Sequence, residues 1–228
     1  MGGQADREVV ESLRYQPPPE IRGHKMEFRL TYWGTLPSQS TADSRPKEKH
    51  AIRKIFHGQL KELWARHSVL RLMAPVQEHP ETGEPIRRYD QLAKFKLASK
   101  SGNIYSFLPL IGEEYGISCS LDILFLRRDT PGNVVKYGGD IDNRLKVLFD
   151  AMRYPQNVSE MPSNPATPDE DPFYCVMEDD RFIDQLTVTT DRLLVPLTDD
   201  HNVNDVLLVI KVKTLVFDAT KTPSGIFH

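Results

Sequence analysis

Apolar positions alternate with polar ones in some stretches of the chain and recur every three to four residues in others, and this contrast divides it into elements. In "MEFRLTYWGTL", Phe28, Leu30 and Tyr32 alternate with polar or larger partners and predict a strand. "PSQSTADSRP" breaks the pattern, with Ser44 placed to cap a helix. From Lys47 to Met73, the residues Ile52, Ile55, Phe56, Leu60, Leu63, Trp64 and His67 form a stripe at helical spacing. Lys49, Arg53, Lys54, Lys61 and Arg71 are assigned to the opposite face. "YGISCSLDILFLRRD" predicts a strand with Ile117, Cys119, Leu121, Ile123 and Phe125 on one side. A second helix is expected from about Asp142 to Arg153, with Leu145, Leu148, Phe149 and Met152 inward. "FYCVMEDDRFIDQLTVTTDRLL" and "DVLLVIKVKTLVF" then predict two closing strands that lie side by side and antiparallel. Residues 75–104, broken by Pro and Gly, and residues 155–174, with Pro155, Pro162, Pro165, Pro168 and Pro172, predict loop insertions. Residues 1–25, which include "QPPPE", predict a flexible arm preceding one domain over 26–228.

Composition narrows this picture in three ways. The 228 residues are 39% apolar, enough for one sizeable core. No apolar run is long enough to span a membrane, and the start lacks an apolar signal-peptide core, so the expectation is a cytoplasmic protein. Cys119 and Cys175 lack metal-ligand spacing and fall in strand-like runs, where they read as reduced core thiols. The net charge of −3 hides an uneven split. The part up to Gly138 is basic and the rest acidic, which fits either a cationic binding surface beside an anionic metal site or ordinary surface variation.

The densest chemistry lies in "GGDIDNRLKVLFDAMR". Asp142, Lys146 and Asp150 are four residues apart and are expected on the helix face opposite its core, with Asp140 just ahead of the first turn. Capping a helix N-terminus explains one aspartate but leaves a second carboxylate over. The run does not fit a calcium loop: with Asp140 first, the sixth position is Leu145 and the twelfth Ala151. Phosphate-loop, nucleophile-elbow and zinc-helix motifs are absent. His50, His57 and His67 on the long helix are expected at its surface or edge rather than as ligands. A second acidic cluster, "MEDDRFID", holds Glu178, Asp179, Asp180 and Asp184. Carboxylates from two segments form the hard oxygen set that Mg2+ prefers, and Lys146 could pair with a ligand carboxylate or a phosphate. Lys54 and Lys61 on the long helix, and Arg87, Arg88, Lys94 and Lys96 near Tyr89 and Phe95, are candidate contacts to nucleic-acid phosphates.

"GGDIDNRLKVLFDAM" followed by "VMEDDRFIDQLTV" resembles the RusA-type crossover (Holliday) junction endodeoxyribonucleases, whose pattern is D-x-D-N-x-x-K-x-x-x-D-[AG] and then an acidic pair leading into a strand. Asp140, Asp142, Asn143, Lys146, Asp150 and Ala151 occupy the first block. The resemblance implies a small α/β fold: a mixed sheet carrying a long amphipathic helix and an Asp-bearing helix. It also implies a homodimeric endonuclease, dependent on Mg2+ with Mn2+ as a substitute, that cuts branched DNA in recombination and repair. In that reading Asp140, Asp142 and Asp179 hold the metal and Lys146 joins them in catalysis. Asn143, Asp150 and Asp180 take supporting places. An idle nucleic-acid-binding protein on the same fold, or a metal-dependent enzyme acting on RNA or nucleotides, are the alternatives.

Overall fold

The first alternating stretch becomes β1 (Glu27–Thr35), and the first helical stripe becomes α1 (Pro46–Arg66). The computed structural model describes residues 26–38, 45–68, 70, 77–78, 85–86, 95–99, 101–128, 141–161, 164–195, 202 and 204–222. The expected arm at 1–25 and the expected cap Ser44 lie outside these residues. Next come β2 (Gln77–Glu78), β3 (Pro85–Ile86), β4 (Phe95–Ala98), β5 (Ile104–Ile111) and β6 (Ile117–Arg127). The Asp-bearing helix is α2 (Ile141–Met152), and β7 (Phe173–Met177), β8 (Ile183–Arg192) and β9 (Asp205–Val216) close the chain.

A four-stranded sheet, ordered β1-β9-β6-β8, carries the main core. β9 runs antiparallel to both β1 and β6, while β8 runs parallel to β6. The registers align apolar rows across it, such as Leu30–Ile210–Ile123–Val188 and Phe28–Val212–Leu121–Leu186. A second sheet, ordered β4-β5-β7, has β5 antiparallel to β4 and parallel to β7, and β2 and β3 form a small hairpin. α1 packs against β7, α2 and β1. Ile52, Phe56, Leu60 and Trp64 of α1 and Leu145, Val147, Leu148 and Met152 of α2 join the inner side of the large sheet in one core. A smaller cluster gathers Tyr105, Phe107, Met161, Phe173 and Cys175. Both cysteines are buried free thiols, and burial pushes each up to about 12.

The structure is a mixed α/β arrangement, and it departs from the sequence reading at four points. α1 stops at Arg66, because His67 is extended and its ring Nδ1 accepts the Leu70 N–H at 3.3 Å. The buried stripe of α1 includes Lys49, Arg53 and His57, whereas Ile55 is 41% exposed. β2, β3 and β4 fall inside the stretch 75–104 expected to be loop, and β5 falls where no strand was expected. Finally, the run 173–192 is two strands in two different sheets, split at Glu178–Phe182. β8 and β9 are not neighbours, since β6 lies between them.

Two glycines fix the turn that leads into β6. Gly116 has φ +62° and would place a Cβ 2.2 Å from the Asp218 carbonyl oxygen. Gly112 would place one 2.6 Å from Glu178 Oε2, so a side chain there would push the Glu178 carboxylate from its present position.

Candidate active site around the Asp-bearing helix

α2 begins where the sequence placed it, and its first turn presents Asp142 to solvent, with Oδ1 accepting the Asn143 N–H at 2.8 Å. Lys146 is exposed one turn further on, and Asn143 is half-buried. Asp140 lies outside the described residues, as do Arg87, Arg88 and Lys94.

Asp150 is not on the solvent face. It is 7% exposed, with Oδ2 at 2.7 Å from Lys49 Nζ and Oδ1 at 2.6 Å from Arg153 Nη2. Burial would raise its carboxyl, but the Lys49 hydrogen bond and the Arg153 charge hold it below the usual range. Arg153 also reaches Glu160 at 3.0 Å. Arg53, 1% exposed, donates to the carbonyls of Asp150 at 2.8 Å and Arg153 at 3.1 Å. The first lies in the last turn of α2 and the second just past its end, so the guanidinium caps the helix end and complements its dipole. At the other end of α2, buried Arg144 donates to the Leu36 carbonyl at 2.8 Å and to Asn204 Oδ1 at 2.9 Å. Sequence reasoning missed these arginines. The usable signal was the position of Lys49 and Arg53 on the same helical stripe as Phe56 and Leu60, which burial of the stripe carries inward.

The second acidic segment sits at the turn from β7 into β8. Asp179 is half-buried and caps the short turn 180–182, accepting the Arg181 N–H at 3.0 Å. Asp180 is exposed; partial burial and the adjacent Asp179 carboxylate raise its carboxyl, with Arg153 opposing. Glu178 accepts the Glu113 N–H at 3.0 Å, and Asp184 accepts from the Ser118 hydroxyl. The backbone contacts tie this segment to the far end of α2. Tyr154 N–H donates to the Met177 carbonyl at 3.3 Å, and Gln156 Nε2 to the Glu178 carbonyl at 2.9 Å. Eight residues of helix separate Asp142 from Asp150, about 12 Å along the axis. The structure therefore sets Asp180 under the influence of Asp150 and Arg153, and the segment is tied to the C-terminal end of α2, not to its first turn, by the hydrogen bonds seen among the described residues.

The donor chemistry of Asp142 and Asp179 suits Mg2+, being hard carboxylate oxygen. Among the described residues no three His, Cys, Asp or Glu side chains gather into a group able to hold a metal ion.

The candidate phosphate contacts on α1 are already engaged. Lys54 pairs with Glu170 at 2.6 Å, and Lys61 pairs with Asp169. The segment bearing those acids is strapped to the helix by His57, whose Nδ1 accepts the Tyr174 N–H at 2.9 Å and whose Nε2 lies 3.1 Å from the Asp169 carbonyl. The first bond makes Nδ1 the acceptor, so the proton sits on Nε2 and donates to Asp169. His57 is thus a buried structural residue, contrary to the expected surface position, and burial lowers its pKa. His50 is half-buried and pushed down to about 4 by burial, with Arg53 and Lys54 adding to the effect. Lys96 is exposed on β4.

No helix among the described residues is long and apolar enough to cross a membrane. No family model matches the chain, and no curated protein or solved structure matches it either.

Proposed function

We propose that the chain is a Mg2+-dependent, structure-specific endonuclease that hydrolyses phosphodiester bonds in branched DNA, acting as a homodimer. The observation that carries this reading is the start of α2, where Asp142 and Lys146 stand exposed one turn apart within the intact D-x-D-N-x-x-K block. Asp140, Asp142 and Asp179 would hold the ion, which when bound supplies charge stabilisation and an activated water. Lys146, free of the buried charge network, would hold the scissile phosphate. Lys96 would add a backbone contact, together with Arg87, Arg88 and Lys94.

A second reading, an idle nucleic-acid-binding protein on this fold, is favoured by one observation: the acidic segment is hydrogen-bonded to Tyr154 and Gln156, just past the C-terminal end of α2, while Asp142 stands in its first turn. Cleavage assays on four-way junctions, linear duplex and RNA, with and without Mg2+, separate the two. The nuclease reading expects Mg2+-dependent cutting of the junction. Asp142→Asn is expected to abolish it while DNA binding persists, and Lys146→Ala to slow it by about two orders of magnitude. Junction binding without cleavage by the wild-type chain, or full activity of Asp142→Asn, would reject the nuclease.

A further inference from the structure

Both helices pack on one face of the large sheet, where Leu121, Ile123, Ile210 and Val212 are buried. On the outer face β9, β6 and β8 lie side by side, and their registers set the outward side chains in rows. The first row is Lys213–Ser120–Gln185, the second Lys211–Asp122–Thr187 and the third Val209–Leu124–Thr189. Each of these residues is half-buried or exposed. Successive rows are two residues, or about 7 Å, apart. The first two rows line a recess of about 230 Å³. Opposite charges on facing strands ordinarily close on each other. Here Lys211 Nζ turns away from Asp122 to Glu27 Oε1 at 3.1 Å, a carboxylate it shares with Arg29. Among the described residues, Asp122 and Lys213 form no ion pair, and the side chains of Ser120, Gln185 and Thr187 form no hydrogen bond. The neighbouring Asp184 is held by the Ser118 hydroxyl.

We propose that this recess binds a ribonucleotide, with its phosphate between Lys211 and Lys213, its ribose hydroxyls on Asp122 and its base over Leu124 and Val209. Mixed charge decides the class of ligand. A purely anionic occupant meets the Asp122 carboxylate and a purely cationic one meets two lysines, so the occupant carries an anion and hydrogen-bond donors on one molecule. The order of the rows then selects among such molecules. Cation, carboxylate and hydrocarbon follow one another as phosphate, ribose and base do along a nucleotide. An amino acid also carries both charges, but it sets them on one carbon, too close to span two rows, and it leaves the third row uncovered. Lysine holds phosphate as a point charge, and a carboxylate accepts from ribose hydroxyls. Leu124, 38% exposed, gives the base an apolar floor. Transfer of Lys211 from Glu27 to the phosphate leaves Glu27 with Arg29. A free nucleotide and an RNA strand both offer this phosphate and hydroxyl, whereas a DNA strand lacks the ribose hydroxyl. The recess lies on the face of the sheet away from α2, so the inference does not depend on the nuclease reading.

Calorimetric titration of the full chain with AMP tests this, in EDTA so that no metal holds phosphate at α2. AMP is expected to bind, and inorganic phosphate, adenosine and dideoxy-AMP, which lacks both ribose hydroxyls, to bind about tenfold more weakly. Lys213→Ala is expected to weaken AMP by a similar factor and to leave adenosine unaffected. Asp122→Ala is expected to bind AMP and dideoxy-AMP alike. Both side chains stand outside the core, so circular dichroism of the variants is expected to match the wild type. Asp142→Asn, on α2, is expected to bind AMP as the wild type does. A short RNA that binds more tightly than AMP identifies a strand as the source of the nucleotide, and one that binds no better identifies the free nucleotide. No binding of AMP at millimolar concentration, equal binding of AMP and dideoxy-AMP by the wild type, an undiminished preference in Asp122→Ala, or loss of AMP binding in Asp142→Asn would overturn the proposal.

Discussion

Asp150 stands eight residues after Asp142, and helical geometry explains why the two face different surroundings. Each step of four residues overshoots a full turn by about 40°, so two steps turn Asp150 about 80° from Asp142. That rotation carries Asp150 from solvent into the seam with α1, where Lys49 and Arg153 meet it. The exposure of Asp142 and Lys146 was legible from the local apolar pattern. The burial of Asp150 was not, because its main partner lies a hundred residues earlier in the chain. The two aspartates should accordingly separate under mutation. Asp150→Asn leaves buried cations uncompensated and is expected to cost about 3–5 kcal/mol in urea denaturation. Asp142→Asn at an exposed position is expected to change stability by under about 0.5 kcal/mol.

Among the elements, the helices and the strongly alternating strands β1, β6 and β9 were readable, since each has one face inward and one outward. The run 173–192 was not, because β7 is buried throughout while β8 is only half-buried or exposed along its length, so neither shows clean alternation. The strap 164–172 holds only a short 3-10 turn, Pro168–Glu170, in keeping with its prolines, but its contact with α1 depends on His57 and could not be seen in the sequence. That contact bears on nucleic-acid binding. Asp169 and Glu170 neutralise the lysines that would otherwise meet phosphates. Asp169→Asn/Glu170→Gln keeps polar groups in place while releasing Lys54 and Lys61. If this edge of α1 lies along DNA, the double variant is expected to bind tighter, with the slope of log K against log salt steeper by about two phosphate contacts. Titrations at several salt concentrations measure it, and an unchanged slope would place α1 away from the nucleic acid.

For the whole molecule, the basic first part and acidic second part meet inside the protein. Lys49, Lys54 and Lys61 pair with Asp150, Glu170 and Asp169, so much of the charge asymmetry serves intramolecular contacts. The same assembly makes stability depend on pH. His50 and His57 are held neutral in the fold, with pKa lowered from an unfolded value of about 6.5. Their contribution is complete above that value and is lost as pH falls toward the folded pKa, about 4 for His50, because the unfolded chain binds the proton more readily. Asp150 and Glu170, whose carboxyls are held low, add a further loss at lower pH as they protonate. Denaturation midpoints are therefore expected to fall from pH 6.5 to 4, and His50→Asn/His57→Asn to flatten that decline.

The arginines at the two ends of α2 also bear on its motion. With Arg144 fastened to Leu36 and Asn204, and Arg53 across the carbonyls of Asp150 and Arg153, neither end can fray without breaking a buried contact to another part of the chain. The amide protons of α2 that are hydrogen-bonded within the helix, from its second turn on, should then exchange with solvent only when the entire domain opens, and they should share one dependence on denaturant. The exposed carboxylate and lysine thus ride on a segment as slow to open as the core itself, which is the stiffness a reacting group needs from its support.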